Sequence, residues 1–135
     1  KTGRNVKRWR LDDWRENKLY SATHMNHPCA IWCRETSANY LWLHSLMKAY
    51  CVEYTNRYEK THAISKSGLL SDLETLPNNI KLSGFTIPPS AMDTKYIISE
   101  DPIINYRNYY KHGKAHLHKW KNRQPPDWIL DYLGD

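Results

Sequence analysis

Five basic residues recur at steps of four, three, four and three near the end of this sequence: Arg107, Lys111, Lys114, His118 and Lys121. On a helix advancing 100° per residue they fall within about 80° of arc and form a ridge. No carboxylate occurs from Pro102 to Gln124, so no acid stands three or four residues away to neutralise them. A phosphate backbone fits such a line, because aligned cations displace condensed counterions and gain affinity without reading sequence. Tyr109, Tyr110 and Trp120 lie beside the ridge, and aromatic rings in a basic setting stack on unpaired bases. A solvated helix face and plain core packing are the competing readings of these residues.

Two other clusters are chemically competent. His24, His27, Cys29 and Cys33 gather four soft ligands within a short stretch, although zinc sites usually pair ligands from two separated knuckles. Small buried thiols and a capping imidazole are the alternative. His27, Arg34 and Glu35 adjoin at the start of an apolar, tryptophan-containing segment and are the catalytic candidates, with Glu35 as acid or base. A salt bridge from Glu35 to Arg34 or Arg57 is the competing role. No Gly-rich phosphate loop is present and no cofactor is expected.

These residues need elements to hold them. Pro28 following Asn26 and His27 marks a helix start, and Thr36-Ser37 marks a second. From there Tyr40, Leu43, Met47, Tyr50 or Cys51, and Tyr54 recur at helical steps, predicting a core helix to about residue 58, with Trp32, Trp42 and Leu46 widening its apolar face. Ser71 to Glu74 has the spacing of a capping box and predicts one short helix. Phe85 to Pro89 must be extended, since each proline pushes its predecessor out of the α region. Asp101 and Pro102 predict the start of a last long helix reaching about Lys121, with Ile103, Tyr106, Tyr110, Gly113, Leu117 and Trp120 as a buried stripe. Gly113 inside that stripe costs helix propensity, so it points to a close approach of another backbone or a ligand. Trp128, Ile129, Tyr132 and Leu133 form a tail expected to pack back on the core.

The expected fold is therefore all-α: a compact single domain with two long helices, one short helix and a Pro-rich irregular connection. It spans 19–135 and follows a basic arm, 1–18, anchored by Trp9 and Trp14. With 135 residues the chain suits one core. Twenty Lys and Arg against fourteen Asp and Glu leave a net charge of +6, so the expected partner is acidic: duplex DNA first, an acidic host protein as the alternative. A 40% hydrophobic content excludes a disordered polycation. No apolar run is long enough to span a membrane, and the three cysteines are the wrong count for a disulfide scaffold. The expected state is a monomer or weak dimer. The opening Lys1-Thr2-Gly3 lacks an initiator Met, which raises the expectation of native residues upstream.

From Tyr20 onward the chain resembles a cyanophage-type group of tailed-phage proteins. The resemblance rests on Asn26-His27-Pro28-Cys29-Ala30-Ile31-Trp32-Cys33-Arg34-Glu35, Asn39-Tyr40-Leu41-Trp42-Leu43, Glu53-Tyr54, Arg57-Tyr58 and His62. It continues through Pro88 to Met92, Tyr106 to Tyr110, Lys119-Trp120 and Pro126-Asp127-Trp128. That group is in turn similar to the phage endonuclease V, or pyrimidine-dimer DNA glycosylase, family. There, two tyrosines run directly into Gly-Lys-Ala; here Lys111-His112 separate Tyr109-Tyr110 from Gly113-Lys114-Ala115, and Ile87-Pro88 with Ala91 matches the preceding stretch. The resemblance implies a helical base-excision protein of the DNA repair type with abasic-site lyase activity, working in the cytoplasm of an infected bacterial host. It also implies an N-terminal amine as nucleophile and an assisting glutamate, neither of which maps onto this chain. The alternatives are a noncatalytic module binding nucleic acid or a host protein, and a zinc-dependent nuclease.

Overall fold

The computed structural model describes residues 10–133, and these are all-α: no strand occurs among them. Seven helices run in the order α1 (Arg15–Lys18), α2 (Pro28–Glu35), α3 (Ser37–Tyr58), α4 (Ala63–Lys66), α5 (Leu69–Asp72), α6 (Pro102–Gly113) and α7 (Asp127–Leu133). Single 3-10 turns lie at Thr94–Tyr96 and Ala115–Leu117. No helix among the described residues is long and apolar enough to cross a membrane.

Caps set the first two principal helices. His27 precedes Pro28, and its Nδ1 accepts the Cys29 amide at 3.1 Å. Thr36 is extended and its Oγ1 accepts the Asn39 amide at 3.1 Å, so the chain breaks for one residue and restarts as α3. Each cap occupies an amide that the first helical turn leaves without a carbonyl. α3 is the one long helix, 22 residues, ending where Glu59 turns left-handed at φ 54°. Its buried residues are Asn39, His44 and Cys51. The predicted stripe is shifted: Leu43 and Tyr50 are exposed, while Tyr40, Met47 and Tyr54 are half-buried. The apolar band on α3 is wide, and its neighbours contact one edge of it. The His44 Nε2–H donates to the Leu70 carbonyl at 2.7 Å, and the Tyr40 hydroxyl donates to the Leu73 carbonyl at 2.7 Å.

The region between α3 and α6 departs from expectation in its helices but not in its extended segment. The capping box at Ser71 to Glu74 does not form. Gly68, at φ 76°, turns the chain earlier, the helix starts at buried Leu69, and Ser71 lies inside it. Residues 81–89 run extended as a strap over the α2–α3 junction. The Ser37 amide donates to the Lys81 carbonyl at 2.9 Å, and the Trp32 indole donates to the Thr86 carbonyl at 3.0 Å. Asn39 is the centre of this clasp. Its amide donates to the Trp32 carbonyl and the Thr86 hydroxyl, and its oxygen accepts the Thr86 amide, all at 2.8–2.9 Å.

Asp101 caps α6 as predicted, with Oδ1 accepting the Ile103 amide at 2.8 Å and Pro102 in the first turn. The helix then stops at Gly113 after 12 residues, so the second long helix, expected to reach Lys121, is not formed. The His118 Nε2–H folds back to donate to the Tyr110 carbonyl at 2.8 Å, taking one of the acceptors that a helix end leaves open. Gly113 is closely approached, by side-chain rings rather than by the backbone or ligand expected: a Cβ there would lie 2.6 Å from the Tyr109 ring and 2.8 Å from Tyr96. The stripe is not buried. Ile103 is 58% exposed, Leu117 is exposed as well, and the buried residue of α6 is polar Asn105. Asn105 knots the preceding loop by accepting the Ile98 and Ser99 amides and donating to the Ser99 carbonyl and the Ser90 hydroxyl. The tail does pack back, with Ile129 fully buried.

Of the basic arm, residues 1–9, with Trp9 among them, lie outside the described residues. In the rest, Trp14 is exposed and anchors little; the tie is the ion pair of Lys18 with Asp72, while Arg15 pairs with Asp13 at 2.7 Å.

Candidate functional site

Between the α2–α3 junction with its strap and the opposing α6 lies an open groove of about 1180 Å³. One wall is Trp32, Trp42, Leu43, Leu46, Phe85 and Ile87; the other is Ile103, Tyr106, Tyr110 and Trp128. The walls come together where the Cys29 thiol meets the Tyr106 hydroxyl at 3.6 Å. That hydroxyl also donates to the Pro89 carbonyl at 2.9 Å and accepts the Ala91 amide at 3.3 Å. Burial, reinforced by the hydrogen bond with Cys29, raises the Tyr106 phenol above its ordinary value. Trp32, Trp42 and Phe85 form a trio with ring centroids 5.5–6.0 Å apart.

Two cations of α6 belong to this groove. Arg107 and Lys114 line it, the guanidinium 5.3 Å from the Trp128 ring centroid and the Lys114 ammonium 5.2 Å from that of Tyr109. Each leans on a π face rather than on a carboxylate. Lys111 lies between them in sequence, half-buried. Among the described residues none of the three forms an ion pair. Glu100 and Asp101 are the carboxylates of the lining, at the start of α6.

The other two members of the predicted ridge separate from it, because the helix ends before reaching them. His118 turns inward, stacked on Tyr110 with centroids 4.6 Å apart, and Trp120 packs on His118 at 5.6 Å. Lys121 is exposed in the irregular segment that follows. Tyr109 packs on Tyr96 at 4.8 Å and Tyr110 on Trp128 at 5.7 Å, so both rings are held by neighbours while still lining the groove.

The catalytic candidates are placed in structural roles. His27 caps α2 through its ring nitrogen, and Arg34 donates to the Met25 carbonyl at 2.9 Å. Exposed Glu35 accepts the Thr86 hydroxyl at 3.4 Å and pairs with neither Arg34 nor Arg57. Arg57 instead bonds Glu53 at 2.7 Å, and Arg123 reaches the other oxygen of the same carboxylate at 2.7 Å. The two guanidiniums hold the Glu53 carboxyl below its ordinary value, chiefly through the Arg57 hydrogen bond.

The soft ligands are not assembled either. His24 bonds the Thr23 hydroxyl at 2.9 Å, His27 is capping, and Cys29 faces Tyr106. Cys33 is half-buried, and desolvation pushes its thiol up, the opposite of what a metal-binding thiolate requires. Among the described residues no group of three His, Cys, Asp or Glu side chains is placed to hold a metal ion.

Sequence reasoning missed the groove wall formed by Phe85, Ile87 and Trp42, and it missed the two asparagine knots that hold the walls. Thr36 three residues before Asn39 signals a cap, but nothing local signals that the Asn39 side chain would bind residue 86. No family model, curated protein or solved structure matches this chain.

Proposed function

We propose that this chain binds duplex DNA along the cationic edge of α6, as part of a phage protein of the DNA repair or processing type that its sequence resembles. The observation that carries the reading is the alignment of three unpaired cations along one helix, since Arg34, Lys60, Lys66 and Lys81 also lack an ion pair among the described residues but are scattered. Arg15, Lys18, Arg57 and Arg123 are paired with carboxylates, whereas Arg107, Lys111 and Lys114 follow one another at helical spacing with no carboxylate partner among the described residues. Three such cations with aromatic rings beside them suit phosphates next to an unstacked or missing base. A glycosylase with abasic-site lyase activity would use that surface to hold a flipped nucleotide. In this reading Arg107, Lys111 and Lys114 hold phosphates, while Tyr109 and Tyr110 support the distorted base. His118, Trp120 and Lys121 drop out of the contact set because α6 ends at Gly113.

The test is binding of a fluorescent duplex of about 20 base pairs across a salt series, with and without a central abasic site. The Arg107→Ala, Lys111→Ala, Lys114→Ala triple variant is measured alongside. Affinity should fall steeply with salt, and the triple variant should lose about two to three units of log–log slope. Tighter binding to the abasic duplex, followed by borohydride trapping of an imine, would support the enzyme reading. Binding that is weak and indifferent to the triple substitution would refute the DNA reading and redirect the search to an acidic protein.

A further inference from the structure

The long apolar flank of the groove is more than phosphate binding needs. Trp42, Leu46, Phe85 and Ile103 all present large side chains to solvent there, with Trp42 46% exposed. A monomer rarely leaves such a contiguous apolar surface open unless something covers it. The volume of about 1180 Å³ exceeds the roughly 300–1,000 Å³ of small-molecule pockets. Its middle is apolar, with the Tyr106 hydroxyl already engaged by Pro89 and Ala91, and its charged lining residues all belong to α6 and the residues just before it: Glu100, Asp101, Arg107 and Lys114. A trough with α3 on one side and α6 on the other is the shape that receives a helix, whose side chains make it about 10–12 Å across. Its charge distribution adds a direction. Glu100 and Asp101 stand at the start of α6; neither forms an ion pair among the described residues, although one oxygen of Asp101 is engaged as the cap of α6. That end favours the positive N-terminus of an incoming helix and basic residues in its first turn.

We propose that the groove seats an amphipathic α-helix of a partner polypeptide, with its apolar face on Trp42, Leu46, Phe85 and Ile103. Its basic first turn lies at Glu100 and Asp101. The assignment uses the apolar flank and the acidic end, whereas the DNA reading uses the cations of α6, two of which, Arg107 and Lys114, line the same groove.

The test is fluorescence anisotropy with three lactam-locked helical peptides of about five turns. The first carries Leu along one face, Lys in its first turn and Gln elsewhere. The second replaces the first-turn Lys by Glu, and the third has the composition of the first with its leucines spread around the helix. The first should bind about tenfold or more tighter than either control. Because the chain carries a net charge of +6, nonspecific attraction favours the acidic peptide, so a preference for the basic one reports Glu100 and Asp101. Leu46→Glu and Ile103→Glu should each weaken the first peptide about tenfold with an unchanged circular dichroism spectrum, and Glu100→Gln should erode the preference for Lys over Glu. Lys111→Ala, at a residue outside the groove lining, should leave peptide binding as before while lowering the salt slope of DNA binding by about one unit, which separates the two readings. Equal binding of all three peptides, or binding of none, would overturn the proposal. Self-association of the chain that Leu46→Glu abolishes would overturn it in favour of a second copy.

Discussion

The inner faces of the groove walls and the groove itself are built on opposite terms. In the walls polar groups are buried and matched: Asn39 ties α2, α3 and the strap together, and Asn105 ties the loop before α6 to the helix. Between the walls, large apolar side chains face solvent, and Arg107 and Lys114, with Lys111 beside them on α6, lack carboxylate partners among the described residues. The difference teaches where to look for function. A protein that matches its polar groups in one region and leaves apolar and cationic groups unmatched in another has reserved the second for something outside itself.

The largest effect should come from breaking a knot. Asn105→Ala leaves the Ile98 and Ser99 amides without their acceptor in a buried site, at an expected cost of about 3 kcal/mol or more, read from the urea midpoint. Asn39→Ala should behave alike; unchanged midpoints in both would erase the contrast drawn above.

Next is Gly113→Ala. Helix propensity alone makes this substitution stabilising by about 1 kcal/mol. The Cβ distances of 2.6 Å to Tyr109 and 2.8 Å to Tyr96 reverse the sign, with an expected loss of about 1–3 kcal/mol. A stabilised variant would show that the ring cluster yields easily.

A smaller effect belongs to pH. The carboxyl of Glu53 is lowered in the folded protein from an ordinary value of 4.5 by Arg57 and Arg123. Its contribution is thus present above that value and is lost as pH falls through the lowered one. Wild type should lose more stability on acidification below about pH 4.5 than Glu53→Gln does, measured by thermal unfolding across pH. Parallel profiles would show that the pair with Arg57 and Arg123 adds nothing.

The smallest stability change is expected for the Arg107→Ala, Lys111→Ala, Lys114→Ala variant. It removes only ring contacts, so its unfolding free energy should move by about 1 kcal/mol or less while its DNA binding falls. A large loss of stability would make these cations structural and dissolve the comparison.

Much of the local structure was legible in the sequence. Pro28 after His27, Thr36 before Ser37, and Asp101 before Pro102 mark the helix starts observed, because capping is a contact among residues two or three apart. The extended path through Pro88 and Pro89 follows from steric exclusion at the preceding residue. The capping box at Ser71 failed against the left-handed turn at Gly68, and the helix through Gly113 failed against His118, whose ring returns to the Tyr110 carbonyl. In both places a competing partner lay within reach that spacing rules do not weigh. For the site, the cations and tyrosines were legible as residue types, but their membership in one surface was not.

The sequence by itself determined the helical class, the caps at His27, Thr36 and Asp101, the extended backbone before Pro88 and Pro89, and the excess of cations without local acids. Each depends on neighbours within a turn or on composition. Only the tertiary structure decided which edge of α3 is buried, that α6 ends before His118, that Arg57 and Arg123 share Glu53, and that an apolar groove separates α3 from α6. These rest on contacts between residues far apart in sequence, whose free energies depend on which surfaces meet and which are left in water.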